Sequence, residues 1–286
     1  MGRTRGSIRE VFLDLHAELA HLVRDLEVHL GLLRSFGIQQ LPRRSPGPVE
    51  LVHSSDRPAA GPSREQAQAG LFAPGRPAAP RSAPQRWRPN PLSAEQAGAE
   101  LDLLRQRLGG CTRCRLHERR QHIVFGEGHP TARLVLVGEG PGGEEDRCGR
   151  PFVGPAGQLL DRILAAMGVQ RSEVYICNVV KCRPPGNRTP EPDEMRTCGV
   201  FLARQLEIIR PRYIICLGAT AAQYLLGTER SLGRLRGRLY DMPDGSRLLP
   251  TYHPAYLLRN EAAKKPVWQD VQLVMAEMAR AAEEET

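Results

Sequence analysis

Residues 132–152 read ARLVLVGEGPGGEEDRCGRPF, an apolar run that breaks into a glycine-rich, acidic loop. The run has the look of a buried strand, and the glycines at 138, 140 and 143 satisfy the spacing G-x-G-x-x-G. A pyrophosphate loop needs backbone N–H donors and little negative charge. Here Pro141 removes a donor, while Glu144, Glu145 and Asp146 bring three carboxylates. The helix that the third glycine should open is expected only near Pro155, and Asn178 stands where the second strand should end in an acid. No Gly-Lys-Ser/Thr follows, so a P-loop is excluded as well. The stretch is therefore read as a strand and loop of an α/β fold, built for something other than a dinucleotide.

Working outward, three more runs rich in β-branched residues follow, at Val174–Cys177, Tyr213–Leu217 and Leu248–Thr251. Helical patterns lie between them: QLLDRILAAMG, EMRTCGVFLARQLEII and ATAAQYLLG. Strands alternating with helices predict a three-layer αβα fold around a central four-stranded parallel sheet. Before it, Ser93 and Gln96 form a capping box for AEQAGAELDLLRQRL, and after it PVWQDVQLVMAEMARAAEEE reads as a closing helix with Pro266 in its first turn. This folded domain is expected over residues 93–286.

Residues 1–40 carry an amphipathic helix, with Ile8, Phe12, Leu15, Leu19, Leu22, Leu26 and Leu33 on one narrow seam. Such a seam suits a coiled coil, a partner helix or its own domain equally. Residues 41–92 hold 11 of the 24 prolines and no sustained period, the composition of a disordered linker.

The formal charge of +8 is shared evenly, with 13 basic against 9 acidic residues in 1–95 and 27 against 23 in the remainder. That permits nucleic-acid binding without demanding it. No apolar run reaches the ~18 residues of a membrane span, and charge precedes any apolar core at the N-terminus. Seven cysteines, an odd number, argue against a disulfide framework. A bacterial-type cytosol, with its nucleoid, is the expected location.

Ligands of open α/β sheets bind beyond the carboxyl ends of the strands. Those ends read Gly138-Glu139-Gly140, Asn178, Gly218 and His253, so an acid, an amide and an imidazole are expected to share one edge. Cys111 and Cys114 form a C-x2-C pair, and Cys182 and Cys198 flank the loop RPPGNRTPEPDE. Four loop-clustered thiols suit structural zinc or an iron–sulfur group, and their spacing does not choose between the two. Cys177 and Cys216 lie inside apolar runs and read as inert core.

Taken together these pieces resemble the family 4 uracil-DNA glycosylases, the iron–sulfur branch of their superfamily. The matching segments are GEGPG (138–142), GRPFVGPAGQLLD (149–161), NVVKCRPPGNRTP (178–190) and HPAYLLR (253–259), with the cysteine set 111, 114, 182 and 198. The resemblance covers about residues 95–283. It implies a [4Fe–4S] cluster on those cysteines and removal of uracil from single- or double-stranded DNA by a monomeric catalytic domain. It further implies that Glu139 handles the attacking water, Phe152 stacks on the flipped base, Asn178 reads its Watson–Crick edge and His253 bonds its O2. Gly140 would offer a backbone contact and Glu145 would crowd the C5 position. Leu257 is expected as a wedge into DNA or, equally, as core of a short helix, and Arg259 as a phosphate contact. Two other readings compete. One is a related branch that becomes covalently trapped on uracil-DNA, although its loop histidine is absent from GNRTPEP. The other is a non-catalytic nucleic-acid-binding module tethered to a repair complex through the N-terminal helix.

Overall fold

Four fully buried runs build the centre of the sheet, and their apolar residues alternate between two cores. In the computed structural model, which describes residues 87–285, the strands are β1 (Glu127–Gly128), β2 (Leu134–Gly138), β3 (Tyr175–Asn178), β4 (Tyr213–Leu217), β5 (Tyr240–Asp241) and β6 (Arg247–Thr251). Their order is β1-β3-β2-β4-β6-β5. The inner four, β3-β2-β4-β6, run parallel, as the alternation of strands and helices predicts. The sheet is wider than the predicted four strands. A two-residue strand pairs antiparallel at each edge, too short to leave a hydrophobic signature in the sequence.

Val135, Val137, Cys177, Ile214, Cys216 and Leu248 enter one core. Leu134, Leu136, Ile176, Ile215, Leu217 and Leu249 enter the other. Side chains that alternate on a pleated strand therefore serve both faces. The first core is covered by α1 (Ala94–Leu108) and α4 (Pro192–Ile209), which supply Leu101, Leu104, Leu108, Phe201 and Leu202. The second is covered by α3 (Pro155–Ala166) and α8 (Lys264–Glu285), which supply Leu160, Ile163, Val267, Trp268 and Val271. The shorter helices are α2 (Gly143–Cys148), α5 (Ala219–Leu226), α6 (Leu232–Leu235) and α7 (Pro254–Leu257). The capping box of Ser93 and Gln96 forms as expected, the hydroxyl accepting from Gln96 N at 3.2 Å and the amide oxygen from Ser93 N at 2.9 Å.

One expectation about the glycine-rich loop is overturned. A helix does begin at the third glycine, because α2 spans Gly143–Cys148. Carboxylates that would repel a phosphate are favourable in a first helical turn, where the N–H dipoles point at them. Asp146 is buried there and accepts from Gln121 N at 2.9 Å and His122 N at 3.3 Å.

The expected N-terminal helix and nearly all of the linker lie outside the described residues. Where description begins, Trp87 donates its indole N–H to Pro211 O at 3.1 Å, and Asn90 bonds Ile208 O and Ile209 O at the end of α4. No helix among the described residues is long and apolar enough to cross a membrane.

Candidate active site

Register decides where the site lies. Gly138 pairs with Asn178, and Leu217 pairs with Thr251, so the carboxyl ends of all four inner strands meet at one edge. Beyond it is a cleft of about 730 Å³ whose walls include Glu139, Gly140, Glu145, Phe152, Asn178, His253 and Arg259. Seven residues singled out from the sequence thus converge. The volume lies within the ~300–1,000 Å³ of small-molecule sites and exceeds what one pyrimidine fills, leaving room for sugar and phosphate.

Two glycines let the cleft walls come together. A Cβ at Gly138 would stand 2.4 Å from Asn178 Oδ1 and 2.7 Å from the Phe152 ring. A Cβ at Gly157 would stand 1.9 Å from the Phe152 carbonyl oxygen. Phe152 itself has φ +50°, a left-handed conformation uncommon for an aromatic residue, which the packing of α3 enforces. Its ring stacks on the imidazole of His253 at 5.5 Å between centroids. Glu145 holds the same loop from the other side, since its Oε1 accepts from Val153 N and Gly154 N, each at 3.0 Å. The structure thus adds to Glu145 a duty that its position in the sequence does not announce: it fixes the turn carrying Phe152.

Asn178 is 1% exposed, and its Oδ1 has no hydrogen-bond partner. Its main-chain carbonyl accepts from Nζ of Lys181 at 2.8 Å, and that fully buried ammonium also donates to Gln205 Oε1 at 2.5 Å. Burial lowers the pKa of Lys181, opposed by the nearby Cys177 and Cys198.

His253 caps α7, and its Nδ1 accepts the N–H of Ala255 at 3.1 Å. The proton of the neutral ring therefore sits on Nε2, which is left as a donor. Burial in the cleft wall brings its pKa down to about 4, with Glu145 opposing and Arg259 reinforcing the shift. The ring is neutral near pH 7.

Arg259 is exposed on the rim, as a phosphate contact requires. Leu257 is core and not the wedge into DNA. It is 0% exposed and belongs to the core that holds Leu160 and Trp268. The one-turn α7 points it inward, and the exposed apolar side chains of this segment are Tyr256, 38% exposed and lining the cleft, and Leu258, 47% exposed. Arg236 serves the structure, bonding Asp270 at 2.9 Å and Pro266 O at 2.7 Å.

The four cysteines form a second group. All are unpaired thiols, and each of the two buried ones is held up in pKa by burial first, Cys198 to about 11. Cys182 and Cys198 belong to the first core and Cys111 and Cys114 pack against it, while Arg120 Nη1 also donates to Cys111 O at 2.6 Å. Donors already face the sulfurs: Arg120 Nη1 stands 3.3 Å from Cys182 Sγ, and Lys181 N 3.2 Å from Cys198 Sγ. Among the described residues no three potential ligands stand close enough to share one metal ion. Cys177 and Cys216 are buried in the sheet, and Cys148 is exposed at the end of α2.

Glu194 ties the thiol group to the cleft rim, a link that the sequence does not announce. It is 0% exposed, and its carboxylate accepts from Arg188 at 2.7 and 2.9 Å, from Arg115 at 3.0 Å and from Glu191 N at 2.8 Å. Arg115 follows Cys114, and Arg188 lines the cleft. The Arg188 hydrogen bond lowers the Glu194 pKa most. Glu194→Gln is expected to lower stability by about 2 kcal/mol at pH 7, discounted for the partly exposed arginines. A depressed carboxylate contributes above its unfolded pKa and loses that contribution as pH falls through the folded value. The melting-temperature gap between parent and variant should therefore close on acidification below pH 4.

Residues 125–272 match the family described as the uracil DNA glycosylase superfamily. A type-4 uracil-DNA glycosylase of Thermotoga maritima is 49% identical over 175 residues, covering 60% of this chain and 91% of that protein. A type-4 uracil-DNA glycosylase of Archaeoglobus fulgidus is 43% identical, covering 55% of this chain and 83% of that protein. A type-5 uracil-DNA glycosylase of Pyrobaculum aerophilum is 33% identical over 148 residues, covering 46% of this chain and 64% of that protein.

Proposed function

This chain belongs to the uracil DNA glycosylase superfamily, and from that premise we propose how its residues release uracil from DNA. The activity is hydrolysis of an N-glycosyl bond in DNA repair.

The orphaned acceptor on Asn178 carries the assignment. A buried amide oxygen without a partner costs about 1–3 kcal/mol, and a ligand donor recovers it. Uracil N3–H is such a donor, and uracil O4 accepts from the amide nitrogen. Cytosine offers an acceptor and a donor in the reverse places, so the same amide rejects it. A base inside a duplex cannot reach this cleft, and flipping it out costs a few kcal/mol. Stacking on an aromatic face returns about 1–3 kcal/mol, and Phe152 lies in the wall to supply it. Tyr256 and Leu258 are the exposed apolar side chains of this segment available to fill the gap in the duplex, in place of the buried Leu257. Arg259 and Arg188 meet phosphate.

As the C1′–N1 bond breaks, the sugar becomes oxocarbenium-like and the base takes up the electron pair. His253 donates a hydrogen bond from Nε2 to O2 of the leaving base, a neutral donor to the negative charge that develops there. Glu139 accepts a proton from the water that attacks C1′, while its charge opposes that of the sugar.

The donor set fits an iron–sulfur cluster: four thiols on one core, two of them buried and hydrogen-bonded at sulfur. Cys111, Cys114, Cys182 and Cys198 would hold the [4Fe–4S] group, which supplies a four-point link between three chain segments. Free thiols in this number suit a reducing, DNA-containing compartment such as a bacterial cytosol.

A single assay tests this reading. Full-length protein, incubated with an oligonucleotide carrying one uracil, is expected to release free uracil and leave an alkali-labile abasic site, and to leave the cytosine-containing control intact. A protein that binds the uracil strand yet releases no base would overturn the enzymatic assignment.

A further inference from the structure

A carboxylate that handles water must be aimed. Glutamate carries three side-chain torsions, and one at a cleft mouth samples them unless something holds it. For Glu139 the partner comes from the neighbouring strand. Beyond β4, Gly218 adopts φ +100° and donates its N–H to Thr251 O at 2.9 Å. A Cβ at Gly218 would lie 3.4 Å from that of His253, so α5 starts hard against the end of β6. Ala221 and Ala222, both 0% exposed, lock the helix to the core. Thr220, the second residue of α5 and 8% exposed, is thereby fixed relative to His253, and its hydroxyl donates to Glu139 Oε2.

We propose that Thr220 is the positioning residue of the water-handling carboxylate, joining Glu139 on β2 to the same rigid edge that carries His253. The proposal rests on the role assigned to Glu139 in uracil release. A donor on Oε2 makes the two oxygens unequal: one is a fixed point, and the other is turned to the water. The first turn of α5 adds its aligned N–H dipoles to the same anion. Thr220 lines the cleft beside Glu139 with its hydroxyl proton committed to that carboxylate, so its loss is expected to act on rate through Glu139 and to leave DNA affinity alone.

The experiment compares Thr220→Val, Thr220→Ser, Glu139→Gln and the double variant Glu139→Gln/Thr220→Val in the full chain. The readouts are single-turnover uracil release, affinity for uracil DNA by anisotropy, and melting temperature. Thr220→Val keeps the shape without the donor and is expected to lower the rate about 10- to 100-fold, the effect of one hydrogen bond to a charged group. Affinity should stay within about twofold, and Thr220→Ser should restore the rate to within about threefold of parent. In the Glu139→Gln background the valine substitution should add little, because coupled residues are not additive. Should valine lower the melting temperature, Thr220→Ala serves as the second variant and the same pattern is required of it. A parental rate in the hydroxyl-free variant, a failed serine rescue, or full additivity with Glu139→Gln overturns the proposal. A parental rate in Glu139→Gln alone overturns the underlying reading of that carboxylate, a distinguishable result.

Discussion

Replacing His253 with alanine is expected to slow uracil release about 100- to 1,000-fold, the range for deleting one donor aimed at developing negative charge. The geometry makes this the largest single effect in the site. Nδ1 is occupied by Ala255 N at 3.1 Å, so the ring has one remaining function, to donate from Nε2 into the cleft. Binding of undamaged DNA should change little, because the cationic side chains Arg188 and Arg259 of the cleft wall are left in place. The measurement is single-turnover release beside DNA affinity for parent and variant, and a parallel loss of both would contradict a transition-state role. The same ring sets a pH expectation. Its folded pKa, lowered by burial to about 4, lies below the unfolded value near 6.5. Protonation of His253 therefore does not limit the rate between pH 7 and 5. Stability follows the opposite arm: as pH falls from 6.5 to 4 the unfolded chain takes up a proton that the folded ring refuses, so His253 weakens the fold across that window. His253→Ala should narrow the loss of melting temperature there.

Gly138→Ala is expected to abolish most activity, by about 100-fold or more, since displacing reacting groups by an ångström has effects of that order. The added methyl would meet Asn178 Oδ1 at 2.4 Å and the Phe152 ring at 2.7 Å. Neither neighbour can retreat freely. Asn178 is anchored through Lys181 Nζ on its carbonyl, and Phe152 is held by the close approach of Gly157 and by Glu145 on the following N–H groups. Overpacking should also lower stability by about 1–3 kcal/mol. Uracil release and a melting curve check both parts. A variant that keeps half the parental rate would show that the amide and the ring do not clamp the base together. Gly138 makes this case without any appeal to backbone freedom, because the conflict is one of space.

Much of this site is legible in the chain alone. The four inner strands fall within one residue of their apolar runs at each end, because a strand buried on both faces must be apolar throughout. Once the sheet is parallel, chain order alone brings Glu139, Asn178 and His253 to one edge. The four cysteines of the set share or pack against one core. Local chemistry misleads in the glycine-rich loop, where acids read as hostile to phosphate are also good first-turn residues, and α2 forms on them.

Orientation within short elements is not legible. Leu257 and Leu258 are adjacent and chemically identical, yet one is fully buried and the other 47% exposed. A four-residue helix has no periodicity to read, so its facing is set by the core it lands on. Thr220 and Glu139 are 81 residues apart, and Glu194 reaches Arg115 across 79. Such pairs leave no spacing in the chain because folding, and not sequence distance, makes them neighbours. Residue order and apolar patterning are enough to specify the layers, the binding edge, and the acid, amide and imidazole placed there. How those groups are held belongs to the folded molecule: the proton of His253 on Nε2, the unpaired oxygen of Asn178, and the hydroxyl that aims Glu139. Composition and periodicity report burial, whereas a hydrogen bond depends on where two distant side chains finish in space.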